Sequence, residues 1–129
     1  EEIAILSIGH PGNFAVEACD LLAKEGFYPA HYDFRFVKPL DIELLREVCA
    51  SYSKIITVED HAIQGGFGSA VAEAILENGF QARLTRLGVP DHFIEHGEQK
   101  ELYDECGFNT ESIMNAVRKL VDTPFLIDR

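Results

Sequence analysis

Ile55-Ile56-Thr57-Val58-Glu59-Asp60-His61-Ala62-Ile63-Gln64-Gly65-Gly66-Phe67-Gly68-Ser69-Ala70-Val71 is the stretch that decides the fold class. Its opening is a short apolar, β-branched run, the pattern of a buried strand. Acidic and polar residues follow from Glu59 to His61, and then Gly65, Gly66 and Gly68 crowd into a turn. Beyond the turn, Ala70, Val71, Ala74 and Ile75 recur at helical spacing. The order is strand, glycine turn, helix. Glycines let the backbone turn tightly and let a helix begin close to a sheet. They also place N–H groups at a helix N-terminus, where an anion can bind.

The flanking sequence repeats the alternation. Ile3 to Ile8 is almost continuously apolar and reads as a strand buried on both faces. A Gly9-His10-Pro11-Gly12 turn follows, and Asn13 is placed to cap a helix from about Phe14 to Glu25. Ala30 to Phe36 alternates in polarity and predicts a strand with one wetter side. Asp41 is a good N-cap for a helix running to about Ser51. Lys54 to Glu59 is the third strand, and a helix from Gly68 to Asn78 closes at Gly79. Ala82 to Leu87 is a fourth strand of mixed polarity. Two further helices are expected, Glu98 to Cys106 and Thr110 to Val121, the second capped by Asn109, followed by a patternless tail over residues 122–129.

Strands alternating with helices imply an α/β fold, a parallel sheet with right-handed crossovers between helical layers. The two most apolar strands belong in the centre and the two mixed ones at the edges, which gives the order 2-1-3-4. The order reverses between the first and third strands, and ligands of open α/β sheets bind at that switch point. His10, Glu59, Asp60, His61 and the Gly65 to Ser69 turn are expected to gather there.

The chain has 129 residues, read as one domain, and a net charge of -11. That charge argues against a nucleic-acid partner and against an anionic membrane surface. No apolar run is long enough to span a bilayer. Cys19, Cys49 and Cys106 are an odd number without a C-x-x-C pair and read as reduced thiols of a cytoplasmic protein. The chain opens at Glu1 directly before a strand, and is expected to be a piece of a longer protein.

Several motifs bear on chemistry. Gly66-Phe67-Gly68-Ser69-Ala70-Val71 has half of a dinucleotide fingerprint, but Val71 stands where glycine or alanine belongs, so tight helix–sheet packing is the better reading. His92 and His96 have metal-ligand spacing, yet Pro90 and Gly97 bracket them and no third ligand is evident. Asp60-His61 could be an acid–base pair, but no nucleophile accompanies it. Ser69 is not in a nucleophile elbow, which needs glycines on both sides of the serine.

Three stretches together resemble one family: Asp33-Phe34-Arg35-Phe36-Val37-Lys38-Pro39-Leu40-Asp41, the Thr57 to Val71 stretch, and Leu87-Gly88-Val89-Pro90-Asp91-His92-Phe93-Ile94-Glu95-His96-Gly97. They are similar to the C-terminal, third domain of 1-deoxy-D-xylulose-5-phosphate synthases, transketolase-like thiamine diphosphate enzymes. The resemblance covers Ile3 to about Leu120. It implies a three-layer αβα domain of a homodimeric enzyme that joins pyruvate to glyceraldehyde 3-phosphate with loss of carbon dioxide. The product feeds isoprenoid, thiamine and pyridoxal synthesis. Thiamine diphosphate and magnesium would belong to the parent enzyme, with no cofactor and no metal in this segment. The family's Gly-Asp-Gly cofactor motif is absent here, so no catalytic residue is carried onto this chain. The partners implied are the enzyme's other domains and a second subunit.

The resemblance also implies an additional antiparallel strand ahead of Ile3, which is expected to be missing from this segment. The second strand, Tyr32 to Arg35, is then expected to be an open edge that pairs with another chain. Three functional readings follow. The first is a non-catalytic module that supports packing and dimerisation. The second is a regulatory site for an anion or phosphometabolite, built from Gly65, Gly66, Gly68, Ser69 and His61. The third is an interaction module with an exposed apolar patch at Phe93 and Ile94. The C-terminal domain of a transketolase or of a 2-oxoacid dehydrogenase β subunit is the alternative within the family.

Overall fold

The computed structural model describes residues 2–35, 39–62, 66–89 and 109–122. The expected helix at Glu98 to Cys106, the His92/His96 pair and the Phe93–Ile94 patch lie outside the described residues, as do Cys106 and Gly65. The elements are β1 (Ile3–Ile8), α1 (Pro11–Lys24), β2 (Ala30–Phe34), α2 (Ile42–Ser51), β3 (Lys54–Ala62), α3 (Phe67–Asn78), β4 (Arg83–Val89) and α4 (Thr110–Asp122).

All strand pairs are parallel and the order is β2-β1-β3-β4, as the hydropathy of the strands predicts. The central strands are those buried on both faces. Ala4, Ile5, Leu6, Ile55, Ile56 and Val58 are fully buried. Alternation divides them between two cores. Ile3, Ile5, Ile56 and Val58 face α1 and α4, where Ala15, Ala18, Leu22, Ile113 and Val117 meet them. Ala4, Leu6 and Ile55 face α2 and α3, against Leu45, Val48, Phe67, Val71 and Ile75. The result is three layers, helix–sheet–helix.

Local sequence explains most helix ends. Asp41 caps α2, its carboxylate accepting the Leu44 N–H at 3.0 Å. Asn109 caps α4 in the same way through Ser112 N–H at 2.9 Å. Gly79 closes α3 at φ 69°, a left-handed position that suits glycine. The start of α1 differs from expectation. The helix begins at Pro11 rather than Phe14, so the N-cap is His10 rather than Asn13, and it makes no side-chain cap bond. Proline fits the first turn because its missing N–H would have had no intrahelical acceptor. His10 packs its ring edge-on against Phe14 at 5.5 Å. Arg118 of α4 forms a double contact with Glu25 just past α1, at 3.1 and 2.6 Å, and this holds the Glu25 carboxyl below the usual range.

β2 is the outermost strand, and no described strand covers its free edge. On its α1 side His31 meets Ser7 Oγ through Nε2 at 2.7 Å. Burial pushes the His31 pKa down, and the nearby Asp33 charge opposes this in part. The neutral ring is therefore favoured in the folded state. Stability from this group is present above the ordinary histidine pKa of about 6.5 and is lost as pH falls through the lower folded value.

Urea midpoints should accordingly decline as pH drops below 6.5, and the His31→Asn variant should show a shallower decline. Equal slopes for the two proteins would dismiss His31 as the source. For the core, Leu6→Ala should cost about 2–5 kcal/mol in denaturant unfolding because Leu6 has no exposed surface. Leu76→Ala should stay within about 0.5 kcal/mol, because Leu76 is 81% exposed.

Candidate functional site

The carboxyl ends of the strands are where the order reverses between β1 and β3, and the glycine turn lies there. The first helical residues of α3 are Phe67, Gly68 and Ser69, with Gly66 at the N-cap in extended conformation. A helix start leaves its first N–H groups without intrahelical acceptors. Gly66 has no side chain to accept them. Glu59, on β3, does so instead. Its Oε1 accepts the Phe67 N–H at 2.6 Å and its Oε2 accepts the Gly68 N–H at 2.7 Å. The Glu59 side chain has no exposed surface. A buried carboxylate is costly unless several donors meet it, and here two backbone donors and the positive end of a helix dipole do.

Gly68 is dictated by proximity. A Cβ at this position would sit 3.0 Å from Thr57 Oγ1 and 3.0 and 3.1 Å from Arg86 Cδ and Cγ. Thr57 is fully buried and cannot withdraw. The glycine lets α3 start against β3 and β4, which is the packing role foreseen for it. The Thr57 hydroxyl finds no hydrogen-bond partner among the described residues.

Of the residues expected to gather at the switch point, Glu59, Gly66, Gly68 and Ser69 do so. His10 also stands at this end, just beyond β1 at the start of α1, on the other face of the sheet from α3. Asp60 and His61 belong to the end of β3, and their side chains lie outside the described set. Arg86 was not foreseen there. β4 carries it across to α3, where its Nη1 donates to Ser69 Oγ at 3.2 Å. The position of Glu59 at the end of an apolar strand places it at the site, and its part as the acceptor for α3 emerges from the structure. The available signal was an acidic residue closing a buried strand ahead of a glycine turn that has no Ser, Thr, Asp or Asn cap of its own.

At the opposite end of the sheet a cavity of about 320 Å³ opens between Glu2, Phe27, Tyr28, Lys54, Val117 and Val121. Lys54, the first residue of β3, is 7% exposed and donates from Nζ to the Leu120 carbonyl at 3.1 Å. Leu120 is in the last turn of α4, so a cation meets the negative end of that helix. The two buried charged residues of β3 thus each terminate a helix, on opposite faces of the sheet. Cys19 and Cys49 are free thiols, partly buried, and burial pushes both pKa values up, which disfavours a nucleophilic thiolate. No group of metal-ligating side chains occurs among the described residues, and no described helix is long and apolar enough to cross a membrane.

Gly68→Ala should destabilise the protein by about 1–3 kcal/mol, since the added methyl meets a buried threonine and the Arg86 stem. Ser69→Ala, one residue on, should stay within about 0.5 kcal/mol. Chemical denaturation of the two variants side by side measures the contrast. A neutral Gly68→Ala would mean that α3 can shift outward at no cost.

Comparison with known proteins adds the family. A family described as "Transketolase, C-terminal domain" matches residues 1–113. A protein of Cytophaga hutchinsonii named 1-deoxy-D-xylulose-5-phosphate synthase is 54% identical over 93% of this chain and 19% of its own length. The namesake from Parabacteroides distasonis is 49% identical over 92% of the chain, and again 19% of its own length. The chain therefore spans about a fifth of these curated relatives. Among solved structures, one described as "Split gene transketolase, inactive beta4 tetramer" superposes with a TM-score of 0.80 at 32% identity. It covers 92% of this chain and 38% of that one. A Campylobacter jejuni transketolase shares the fold with a TM-score of 0.58 at 16% identity, covering 92% of this chain and 17% of that one. The parallel sheet in the order β2-β1-β3-β4, the match over residues 1–113 and the superposition together make this chain a member of the transketolase C-terminal domain family.

Proposed function

We propose that this chain is the non-catalytic third domain of a 1-deoxy-D-xylulose-5-phosphate synthase. The parent enzyme would condense pyruvate with glyceraldehyde 3-phosphate, releasing carbon dioxide. Thiamine diphosphate and magnesium would be bound by its other domains. The observation that carries this reading is the identity of 54% and 49% to proteins of that name across 93% and 92% of the chain. The transketolase superposition stands at 32%. The role that fits the described residues is mechanical. A rigid sheet with both buried charges of β3 committed to helix ends presents surfaces to neighbouring domains rather than groups to a substrate. The open edge of β2 and the cavity beside Tyr28, which is 67% exposed, are surfaces suited to other domains of the same chain and to a second subunit of a homodimer. The compartment proposed is the cytoplasm, in keeping with the free thiols of Cys19 and Cys49.

A regulatory anion site at Gly65, Gly66, Gly68, Ser69 and His61 is not favoured, because Glu59 already holds the Phe67 and Gly68 amides. The Arg86 contact to Ser69 is the feature that would serve it.

A graft tests the proposal. Replacing the matching C-terminal fifth of the Cytophaga hutchinsonii synthase with this chain should keep turnover of pyruvate and glyceraldehyde 3-phosphate within about tenfold of the parent. The same region from the Parabacteroides distasonis protein serves as the control. If the control graft is active while a folded graft of this chain is not, the chain is no synthase domain.

A further inference from the structure

We infer that Glu59 is a built-in anion ligand: its carboxylate fills the cradle at the amino end of α3 that an external carboxylate would otherwise enter. The cradle has the parts of an anion site. Phe67 and Gly68 direct adjacent N–H groups at one carboxylate, and the oxygens that receive them lie at 2.6 and 2.7 Å, at the short end for charge-assisted bonds. The receiving side chain has no exposed surface, so these amides are closed to solvent. The ligand comes from neither the N-cap nor the first turn. It comes from another element, β3, eight and nine residues earlier in sequence. An ordinary cap fixes the helix end to its own chain. This one fixes α3 to the sheet.

The glycine supports the same assignment. A Cβ on Gly68 would lie 3.0 Å from Thr57 Oγ1, so its absence lets the helix start sit close to this strand. Thr57 is two residues before Glu59 on the same face of β3. The close approach is therefore toward the strand that carries the carboxylate. Thr57 does not compete for the amides, because its hydroxyl makes no hydrogen bond among the described residues. The ligand class follows from shape. Glu59→Ala deletes Cγ, Cδ and both oxygens, which are the heavy atoms of an acetate ion. The cavity left behind keeps the two N–H donors and the helix dipole. It should take a planar monocarboxylate and reject tetrahedral phosphate, which is bulkier and carries more charge into a buried site.

Thermal unfolding of the native chain and of Glu59→Ala in sodium acetate, sodium formate, sodium phosphate and sodium chloride, matched in ionic strength, tests the assignment. Ligand binding to the folded state alone raises the melting temperature with concentration. Acetate should raise that of Glu59→Ala by on the order of 10 °C at a hundredfold excess over its Kd. The native chain should respond to acetate and chloride alike, and phosphate should add nothing specific to either protein. An equal response of both proteins to acetate is a general salt effect and overturns the assignment. So does a phosphate response in the variant as large as that to acetate. If Glu59→Ala is unfolded in chloride, recovery of its helical circular dichroism on refolding in acetate supports the proposal, and no recovery defeats it. Hydrogen exchange in Glu59→Gln gives a second readout. The Phe67 and Gly68 amides should exchange at least tenfold faster than in the native chain while Val71 and Ile75 keep their protection. Unchanged exchange at Phe67 and Gly68 counts against the carboxylate as their ligand.

Discussion

The bond between the Glu59 carboxylate and the first amides of α3 is the constraint on which the carboxyl end of this sheet depends. A helix that follows a glycine-rich turn has no cap of its own and could start at several heights above the sheet. Two short hydrogen bonds from a buried strand residue remove that freedom. Once α3 is held against β3, a side chain at position 68 would crowd Thr57 and Arg86, and Val71, Ala74 and Ile75 fall onto the core formed with Ala4, Leu6 and Ile55. Glu59 also stands where the β3–β4 ladder shifts register, after Val58 and before Ala62. Regular pairing ends and helix anchoring begins at the same point of the chain.

β3 carries a matching device at its other end. Lys54 begins the strand and donates to the Leu120 carbonyl near the carboxyl end of α4. Glu59 receives the amino end of α3. A cation on a helix C-terminus and an anion on a helix N-terminus both have the sign that the helix dipole favours. Lys54 belongs to the face covered by α1 and α4, Glu59 to the face covered by α3. One central strand thus secures a helix in each outer layer, and each buried charge is compensated by backbone groups. Replacing either side chain would leave backbone groups of a helix end without the partner that receives them, which is why such residues are costly to replace.

This accounting bears on function. In many open α/β sheets the helix N-terminus at the switch point is the place where a ligand's negative group binds. Here the protein's own side chain holds the same amides. The domain keeps the geometry of a binding fold while committing its best anion-binding donors internally. This is the arrangement at the switch point of a chain that belongs to the transketolase C-terminal domain family. Among the described residues, the β2 edge and the cavity at the amino end of the strands remain uncommitted.

The sequence by itself determined the α/β class, the strand order and most helix boundaries, because these follow from local signals. Continuous apolar runs marked β1 and β3 as central, and mixed runs marked β2 and β4 as edges. Asp41, Asn109 and Gly79 announced helix ends through chemistry contained within a few residues. The start of α1 was misread because proline and glycine look like a turn and only packing makes Pro11 a first helical residue. What only the tertiary structure decided are the contacts between residues distant in sequence. Arg86 meets Ser69 because β4 lies beside β3 beneath α3. Lys54 reaches Leu120 across 66 positions. Glu59 binds amides that a reading of the turn alone leaves open to a ligand. No local pattern encodes these pairings. They exist because a polar group near the sheet ends is stabilised by a partner, and the fold determines which partners are within reach.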